Sequence, residues 1–374
     1  MWYDLYLLVS ILTSFLESTS FSTRIINQNI GVSNGDRREL ESSMEIEDLL
    51  PPFDDRKFGM TDFSDLTTID SGRRNRQFES VSEKKCVEYV SEMLKRQEQS
   101  KLGLSDPNVT IINGKVVKEA EYPHMGALGW WTNSVPRKIV FLCGGSLISD
   151  RFMLTAAHCT YCVRKYIEQP VPYLVRLGSR YLESLTHEAP EDVRIRNVIK
   201  HPRYKSPRRY YDIALIQLDK IVRFTKFLQP ACLSTSQYSA SSNNKFTATG
   251  WGSVQATSDK IHLIDIDKCN YLLKKLHIRL WNGVAAHQLC AGELNGNTDT
   301  CKGDSGGPIQ QKLISSPSQG TIHRILAVTS FGPTKCTTKH VPGVYSNVSY
   351  FAKWIERIVW PEEYDTFKYK KYVQ

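Results

Sequence analysis

From residue 111 onward the chain is written in short apolar runs, among them "KIVFLCGGSLIS", "YLVRLG", "VRIRNVIK" and "DIALIQL", separated by Gly, Pro and Ser. Runs of this length, rich in Val, Ile and Leu and bounded by turn residues, form strands, and many in succession make an all-β barrel or sandwich. Two stretches depart from this texture. "VSYFAKWIERIVW" sets Phe351, Trp354, Ile355 and Ile358 at helical spacing, which predicts a C-terminal helix docked by its apolar face. Ahead of the β-rich region, "EKKCVEYVSEMLKRQEQS" predicts a short helix.

The rest of residues 21–105 is rich in Ser, Asn, Asp, Glu and Arg, with "PPFDDRK" and "SGRRNRQ" and no sustained period of either kind. Such a segment cannot bury enough apolar surface to fold alone and reads as a largely disordered leader. The first 20 residues hold the apolar run "LYLLVSILTSFL" followed by small residues, which reads as a secretory signal peptide, although Asp4 stands where a basic residue is usual. No other run approaches the roughly 18 apolar residues that span a bilayer, so a soluble, secreted product without a membrane partner is expected. The expected organisation is a signal peptide at 1–20, a propeptide at 21–110, a β-rich domain at 111–360 and a tail at 361–374. With 374 residues, 41% of them hydrophobic, the chain is long enough for a large core.

Charge divides along the same boundary. Residues 21–110 carry 13 Lys+Arg against 17 Asp+Glu, whereas residues 111–374 carry 35 against 20. A basic module of this kind suits anionic surfaces, but a solvated basic exterior accounts for the excess more simply, and no nucleic-acid partner is expected. Nine cysteines behind a signal peptide point to an oxidising compartment and a disulfide framework, and the odd number leaves one thiol over. Cys159 and Cys162 are the one close pair, and no second pair stands at zinc-site spacing from them. Neither a metal nor a cofactor is therefore expected.

The chemistry is carried by "TDTCKGDSGGP", residues 298–308. A serine among glycines lets the backbone turn tightly, exposing the hydroxyl and directing the N–H groups of Gly303 and Ser305 to where an oxyanion would develop. The same letters fit the nucleophile elbow of α/β-hydrolases, but that fold needs its acid and histidine after the serine. Downstream the histidines are His323 and His340, with no acid ahead of either, and the one aspartate is Asp365, in a β-rich context. Upstream stand His158 in "LTAAHC" and Asp212 in "YYDIALIQL". Each is weak alone, since a histidine beside a cysteine can be a core residue and an aspartate before an apolar run can be a turn. Together they give the order His, Asp, Ser, which differs from the subtilisin and α/β-hydrolase orders.

With these motifs the chain resembles the chymotrypsin-like (trypsin-family) serine proteases over residues 111 to about 360. "AEYPHMGALGW" and "KCVEY" are most similar to the insect haemolymph proteases of the clip-domain and Snake-like group. The resemblance implies two six-stranded antiparallel barrels with the active site in the cleft between them. It assigns Ser305 as nucleophile, His158 as general base and acid, Asp212 as the residue orienting the imidazole, and Ser330 in "TSFG" as support for Asp212 and start of the substrate-binding strand. It places Asp299 at the base of the primary pocket, with Gly332 and Gly343 at the two positions that must stay small. A buried carboxylate there favours Arg or Lys in the substrate. Pro342 stands where sodium-activated relatives carry Tyr, and Ser179 where calcium-binding trypsins place Glu.

The resemblance also implies disulfides Cys143–Cys159, Cys269–Cys290, Cys301–Cys336 and Cys86–Cys232, the last tying leader to catalytic domain. Phe246 and Gln311 occupy both ends of another common bridge, and Cys162 is left over. Unlike haemolymph relatives with a six-cysteine clip domain, this leader contains only Cys86. "IING" matches the segment that becomes the new N-terminus on activation, so the cut falls between Thr110 and Ile111, and the freed amino group pairs with Asp304. Thr110 replaces the usual Arg or Lys, which implies an upstream activator of different specificity. Sequons begin at Asn108 and Asn347. Protein substrates and serpin-type inhibitors are the implied partners. The alternative is a catalytically silent homologue that serves as a binding or scaffold protein.

Overall fold

The apolar runs of the C-terminal region form antiparallel strands, and the turns between them fall at the Gly, Pro and Ser positions. A computed structural model describes residues 78, 80–101, 120–179, 182, 190–236, 246–251, 259–274, 280–292, 304–332 and 341–373. The signal peptide, most of the leader, the activation segment and the stretches carrying Asp299, Cys301, Gly303 and Cys336 lie outside the described residues.

Six strands, β1 (Met125–Trp131), β2 (Ile139–Leu147), β3 (Phe152–Thr155), β4 (Leu174–Leu177), β5 (Glu191–Lys200) and β6 (Ala214–Leu218), close into a barrel in the order β1-β2-β3-β6-β5-β4. Its interior is filled by Leu128, Trp130, Leu154, Val175, Leu177, Val193 and Leu215, all buried. Burying such a side chain contributes about 1.5–3 kcal/mol relative to leaving it in water. β5 alternates, with Val193 inward and its charged neighbours facing solvent, as expected of a half-buried strand.

The second sheet consists of β7 (Cys232–Leu233), β8 (Phe246–Ala248), β9 (Asp259–Leu263), β10 (Gln288–Gly292), β11 (Pro308–Ser316), β12 (Gly320–Phe331) and β13 (Gly343–Asn347). Antiparallel pairings run β11-β8-β9-β10-β13-β12, and β11 pairs again with β12, which closes a ring of six. The two-barrel expectation is met. One short strand is extra: β7 joins β12 in parallel, with Arg324 opposite Cys232.

Two helices go beyond the expectations. The predicted leader helix exists as α1 (Val81–Lys101) and is docked, with Val81, Cys86, Tyr89, Val90 and Met93 buried on one face. The predicted helix is therefore also packed against the core, a docking that its sequence did not announce. After α2 (Ile266–Leu272) comes the predicted C-terminal helix, α3 (Val348–Val359), with Phe351 and Ile355 buried. Residues assigned to a tail form a further helix, α4 (Pro361–Val373), opening on the proline that suits a first helical turn. Disulfides Cys86–Cys232, Cys143–Cys159 and Cys269–Cys290 are present. Cys162 has no disulfide partner among the described residues.

The asparagine of the second sequon, Asn347, has a structural role in the fold. The residue is 7% exposed, and its Oδ1 accepts from the backbone N–H and hydroxyl of Ser349 as the N-cap of α3. A capping asparagine accounts for the same three letters.

Candidate active site

Strand register brings His158 and Asp212 together. Thr155, the last residue of β3, lies opposite Ala214, the first residue of β6. His158 follows that pair in a 3-10 turn, Ala157–Thr160, and Asp212 precedes it, so both leave the ladder at the same end. The turn is pinned by Cys159, bridged to Cys143 of β2.

Asp212 is buried and fully engaged. His158 Nδ1 lies 2.7 Å from Asp212 Oδ2, and the backbone N–H of His158 donates to Oδ1 at 2.8 Å. Ser330 Oγ donates to Oδ2 at 2.5 Å, and Ser346 Oγ donates to the Asp212 carbonyl at 2.7 Å. Burial pushes the Asp212 carboxyl upward, but the opposing His158 charge and these hydrogen bonds outweigh it and hold it below the usual carboxylate range. For His158, burial favours the neutral ring; the charge and hydrogen bond of Asp212 overcome that and raise its pKa, while Arg209 pulls the other way. A carboxylate acceptor at Nδ1 makes that nitrogen the proton donor in the neutral ring and leaves Nε2 with its lone pair free.

Ser330 reaches Asp212 because β12 bulges there. The register with β13 slips between Thr329 and Phe331, leaving Ser330 as the extra residue, and a bulge re-aims the side chain it carries. Beyond Val328, which faces the first residue of β11, β12 continues through Phe331 paired with β13 alone among the described residues. An edge of this kind can accept an extended peptide as an added strand.

The Ser305 turn is clamped between the two barrels. The Ser305 carbonyl accepts from Gly144 N on β2 at 2.8 Å, and Gly306 N donates to the Thr329 carbonyl on β12 at 2.9 Å. Gly306 has φ +78°, and a Cβ there would come within 2.2 Å of Thr155 Oγ1 and 2.4 Å of the Gly144 carbonyl. Only glycine can follow the serine in so close an approach. Because Thr155 leads into the His158 turn, the clamp brings the serine segment against the strand carrying the histidine. Asp304 sits against Gly250, where a Cβ would meet its Oδ1 at 2.1 Å. Gly332 and Gly343 face one another, a Cβ on Gly332 coming 3.7 Å from the Gly343 Cα, so no side chain intervenes between the two strands. Asp299, Gly303, Thr110, Ile111 and Asn108 lie outside the described residues.

His158, Cys143 and Cys159 also converge as metal ligands would. Both sulfurs belong to the disulfide, so neither is the thiolate a metal requires, and the cluster is no ligand set.

Residue patterns gave no sign of two supporting groups. Ser346 is one. The other is His287, whose Nε2 accepts from Tyr211 N at 3.0 Å while its ring stacks on Tyr211 with centroids 4.0 Å apart. Tyr211, next to Asp212, has φ +55°, a conformation costing non-glycine residues on the order of 1 kcal/mol and kept by its surroundings. Burial, with the charges of His201 and Arg203, lowers the His287 pKa to about 4, so it is a neutral acceptor near pH 7. A histidine 75 residues downstream of Asp212 carries no local signal of this role.

The Trypsin family model matches residues 111–355. "Serine protease snk" of Drosophila melanogaster is 36% identical over 262 residues, covering 67% of this chain and 57% of that protein. "Serine protease Hayan" of the same species is 36% identical, covering 68% of this chain and 39% of its own length. "Phenoloxidase-activating enzyme" of Bombyx mori is 33% identical, covering 60% and 55%. The chain thus spans about half the length of these relatives, or less.

Proposed function

The chain belongs to the trypsin family of serine proteases, and on that premise we propose that it is the zymogen of a secreted serine endopeptidase cleaving after Arg or Lys. The observation that carries this reading is the Ser330–Asp212–His158 hydrogen-bonded array beside a clamped "GDSGG" turn. Ser305 attacks the scissile carbonyl, His158 Nε2 takes its proton and returns it to the leaving amine, and Asp212 holds the ring and its charged form. The N–H groups of Gly303 and Ser305 stabilise the oxyanion, each donor contributing on the order of 10²-fold in rate. The substrate lies extended along the open edge at Ser330–Gly332. Asp299 receives its basic side chain.

Cleavage after Thr110 frees Ile111, whose amino group pairs with Asp304 and orders the oxyanion hole. An enzyme that itself selects basic residues does not cut efficiently after threonine, so the activator is another protease of different specificity. That arrangement suits a step in an extracellular cascade, in keeping with relatives named for activating phenoloxidase. No described helix is long and apolar enough to cross a membrane.

The test is labelling by a fluorophosphonate probe. The Thr110→Arg variant, cut with trypsin, is expected to label at Ser305 and to lose the label in Ser305→Ala; absence of label sinks the enzyme reading. Asp299→Ser is expected to lower kcat/KM on Arg peptides by about 10²-fold or more, because the cationic side chain loses its buried partner. Retention of full activity would remove Asp299 from the pocket.

A further inference from the structure

Residues 201–211, "HPRYKSPRRYY", lead directly into Asp212 and contain Arg203, Lys205, Arg208 and Arg209 without a single acid. All four cations are exposed. Arg203 is held on Tyr211, to whose hydroxyl it donates at 3.1 Å, and Arg209 is fixed beside the substrate-binding strand. Its backbone N–H donates to the Leu280 carbonyl at 3.2 Å, and its own carbonyl accepts from Gln288 Nε2 at 2.8 Å. Its guanidinium lies over the ring of Phe331, 5.1 Å from the centroid, inside the limit of about 6 Å for a cation–π contact. Phe331 is in turn braced edge-on by the buried Trp281, with centroids 5.2 Å apart. Phe331 directly follows Ser330, on the strand edge where the proposed substrate lies.

The charge of Arg209 is felt at His158, where it opposes protonation of the ring. A bare cation next to a base that must become cationic works against that base. No carboxylate among the described residues lies within ion-pair distance of Arg209, so, although Asp212 outweighs it at His158, none of them pairs with it. A carboxylate brought by the substrate would.

Resting on the serine-protease reading, we propose that Arg209, backed by Lys205 and Arg208, selects substrates with an acidic side chain on the N-terminal side of the cleaved bond. The acidic residue stands about two to four positions before that bond, the reach of an extended strand rising ~3.3 Å per residue from Ser330 past Phe331. Guanidinium and carboxylate pair through two parallel hydrogen bonds, and a guanidinium already held on an aromatic shelf loses little freedom in doing so. The preferred sequence is therefore amphoteric, an acid followed closely by Arg or Lys.

The experiment uses the full chain carrying Thr110→Arg, cut with trypsin and freed of it, against quenched peptides with a single Arg. Paired peptides differ only by Glu or Gln at one of the three positions preceding that Arg. At one position Glu is expected to raise kcat/KM about five- to tenfold over Gln at low ionic strength, and less in about 0.5 M salt, which screens exposed charges. Arg209→Gln brings the ratio close to one, Arg209→Lys keeps part of it, and Lys353→Gln, on the exposed face of α3, leaves it unchanged. A wild-type ratio near one at every position overturns the proposal, as does a preference that survives Arg209→Gln. Cleavage of the Gln peptides without any Glu preference sinks this inference alone. Failure to cut either peptide, with no fluorophosphonate label at Ser305, sinks the protease reading and this inference with it.

Discussion

At the scale of single residues, Asp212 illustrates how a buried carboxylate is kept charged. Hydrogen bonds from His158 Nδ1, His158 N and Ser330 Oγ converge on its two oxygens, replacing the water it has lost. Replacing it by Asn keeps the shape but presents an N–H to Nδ1, which then becomes the acceptor and puts the ring proton on Nε2, the wrong nitrogen for a base. Asp212→Asn is therefore expected to lower kcat about 10⁴-fold near neutral pH. The pH profile gives the second readout. Because Asp212 raises the His158 pKa, wild-type activity should rise with pH through a value above the ordinary histidine range, and the Asn variant should shift that limb toward lower pH. An unchanged limb would mean that Asp212 does not set the charge of His158.

Among the elements, α1 is the one whose placement changes how the leader is understood. Its buried stripe is joined by specific polar contacts. Tyr89 Oη donates to the Ile148 carbonyl at 2.9 Å, and Ser82 N donates to Glu356 Oε1 of α3 at 2.9 Å. Lys85 pairs with Glu363 of α4 at 2.8 Å, and Arg96 donates to Gln229 at 3.0 Å. Burial raises the Glu356 pKa, while its Ser82 and Ser80 hydrogen bonds oppose that rise. The Cys86–Cys232 bridge is thus an addition to a docked interface. In the Thr110→Arg background, Cys86→Ser with Cys232→Ser should let the cut fragments still elute together on native gel filtration. Met93→Asp in that protein should part them, since Met93 is fully buried. Fragments that separate when only the bridge is removed would show that the disulfide alone holds the leader. Met93→Ala in the uncut chain should cost about 2–5 kcal/mol in urea unfolding.

The whole molecule is expected to be acid-labile, for a reason seated at the junction of its two barrels. His124, just before β1, and His323 of β12 are buried with ring centroids 5.0 Å apart, and Tyr122 lies over His323 at 5.0 Å. Among the described residues, neither nitrogen of His124 nor Nδ1 of His323 meets a hydrogen-bond partner in good geometry, Gln310 standing near enough to His124 only to oppose part of the effect of burial on its pKa. Around them are Gln310 of β11 and the positive charge of Lys312, and no acid is among the groups that shift either ring. Burial lowers the His124 pKa to about 4 and drives that of His323 well below its usual value, with the neighbouring His124 and Lys312 adding to the effect. The unfolded chain, with ordinary histidines, then binds more protons than the folded one. Stability is accordingly complete above about pH 6.5 and falls as pH drops toward 4, His124 alone accounting for about 3 kcal/mol by the end of that range. The raised pKa of His158 acts with the opposite sign, contributing stability at low pH that is lost as pH rises through its folded value. Urea unfolding at pH 7 and pH 5 measures the balance, and His323→Phe should flatten the difference. A stability unchanged between those pH values would contradict the account.

The sequence by itself determined four strands of the first barrel, β2, β4, β5 and β6, the helix at Val348–Val359 and the order of His158, Asp212 and Ser305. Each of these is written in local periodicity or in a short motif, so it survives being read one segment at a time. The neighbours of Asp212 were another matter. Ser346 lies 134 residues away and His287 76 from the tyrosine it holds, and neither stands in a pattern that marks it. Strand register and a bulge put them there, and register is a property of pairs of strands. The docking of α1 was hidden for a related reason: its apolar stripe is sparse, with a charged majority, and becomes a core face only when α3, α4 and β7 supply the other half. Asn347 adds a case of the same kind, since the asparagine of a sequon serves as a buried helix cap, a role set by its place at the start of α3. What only the tertiary structure decided is which distant groups share a buried volume, because desolvation and hydrogen bonding depend on neighbours in space, and sequence records neighbours along the chain.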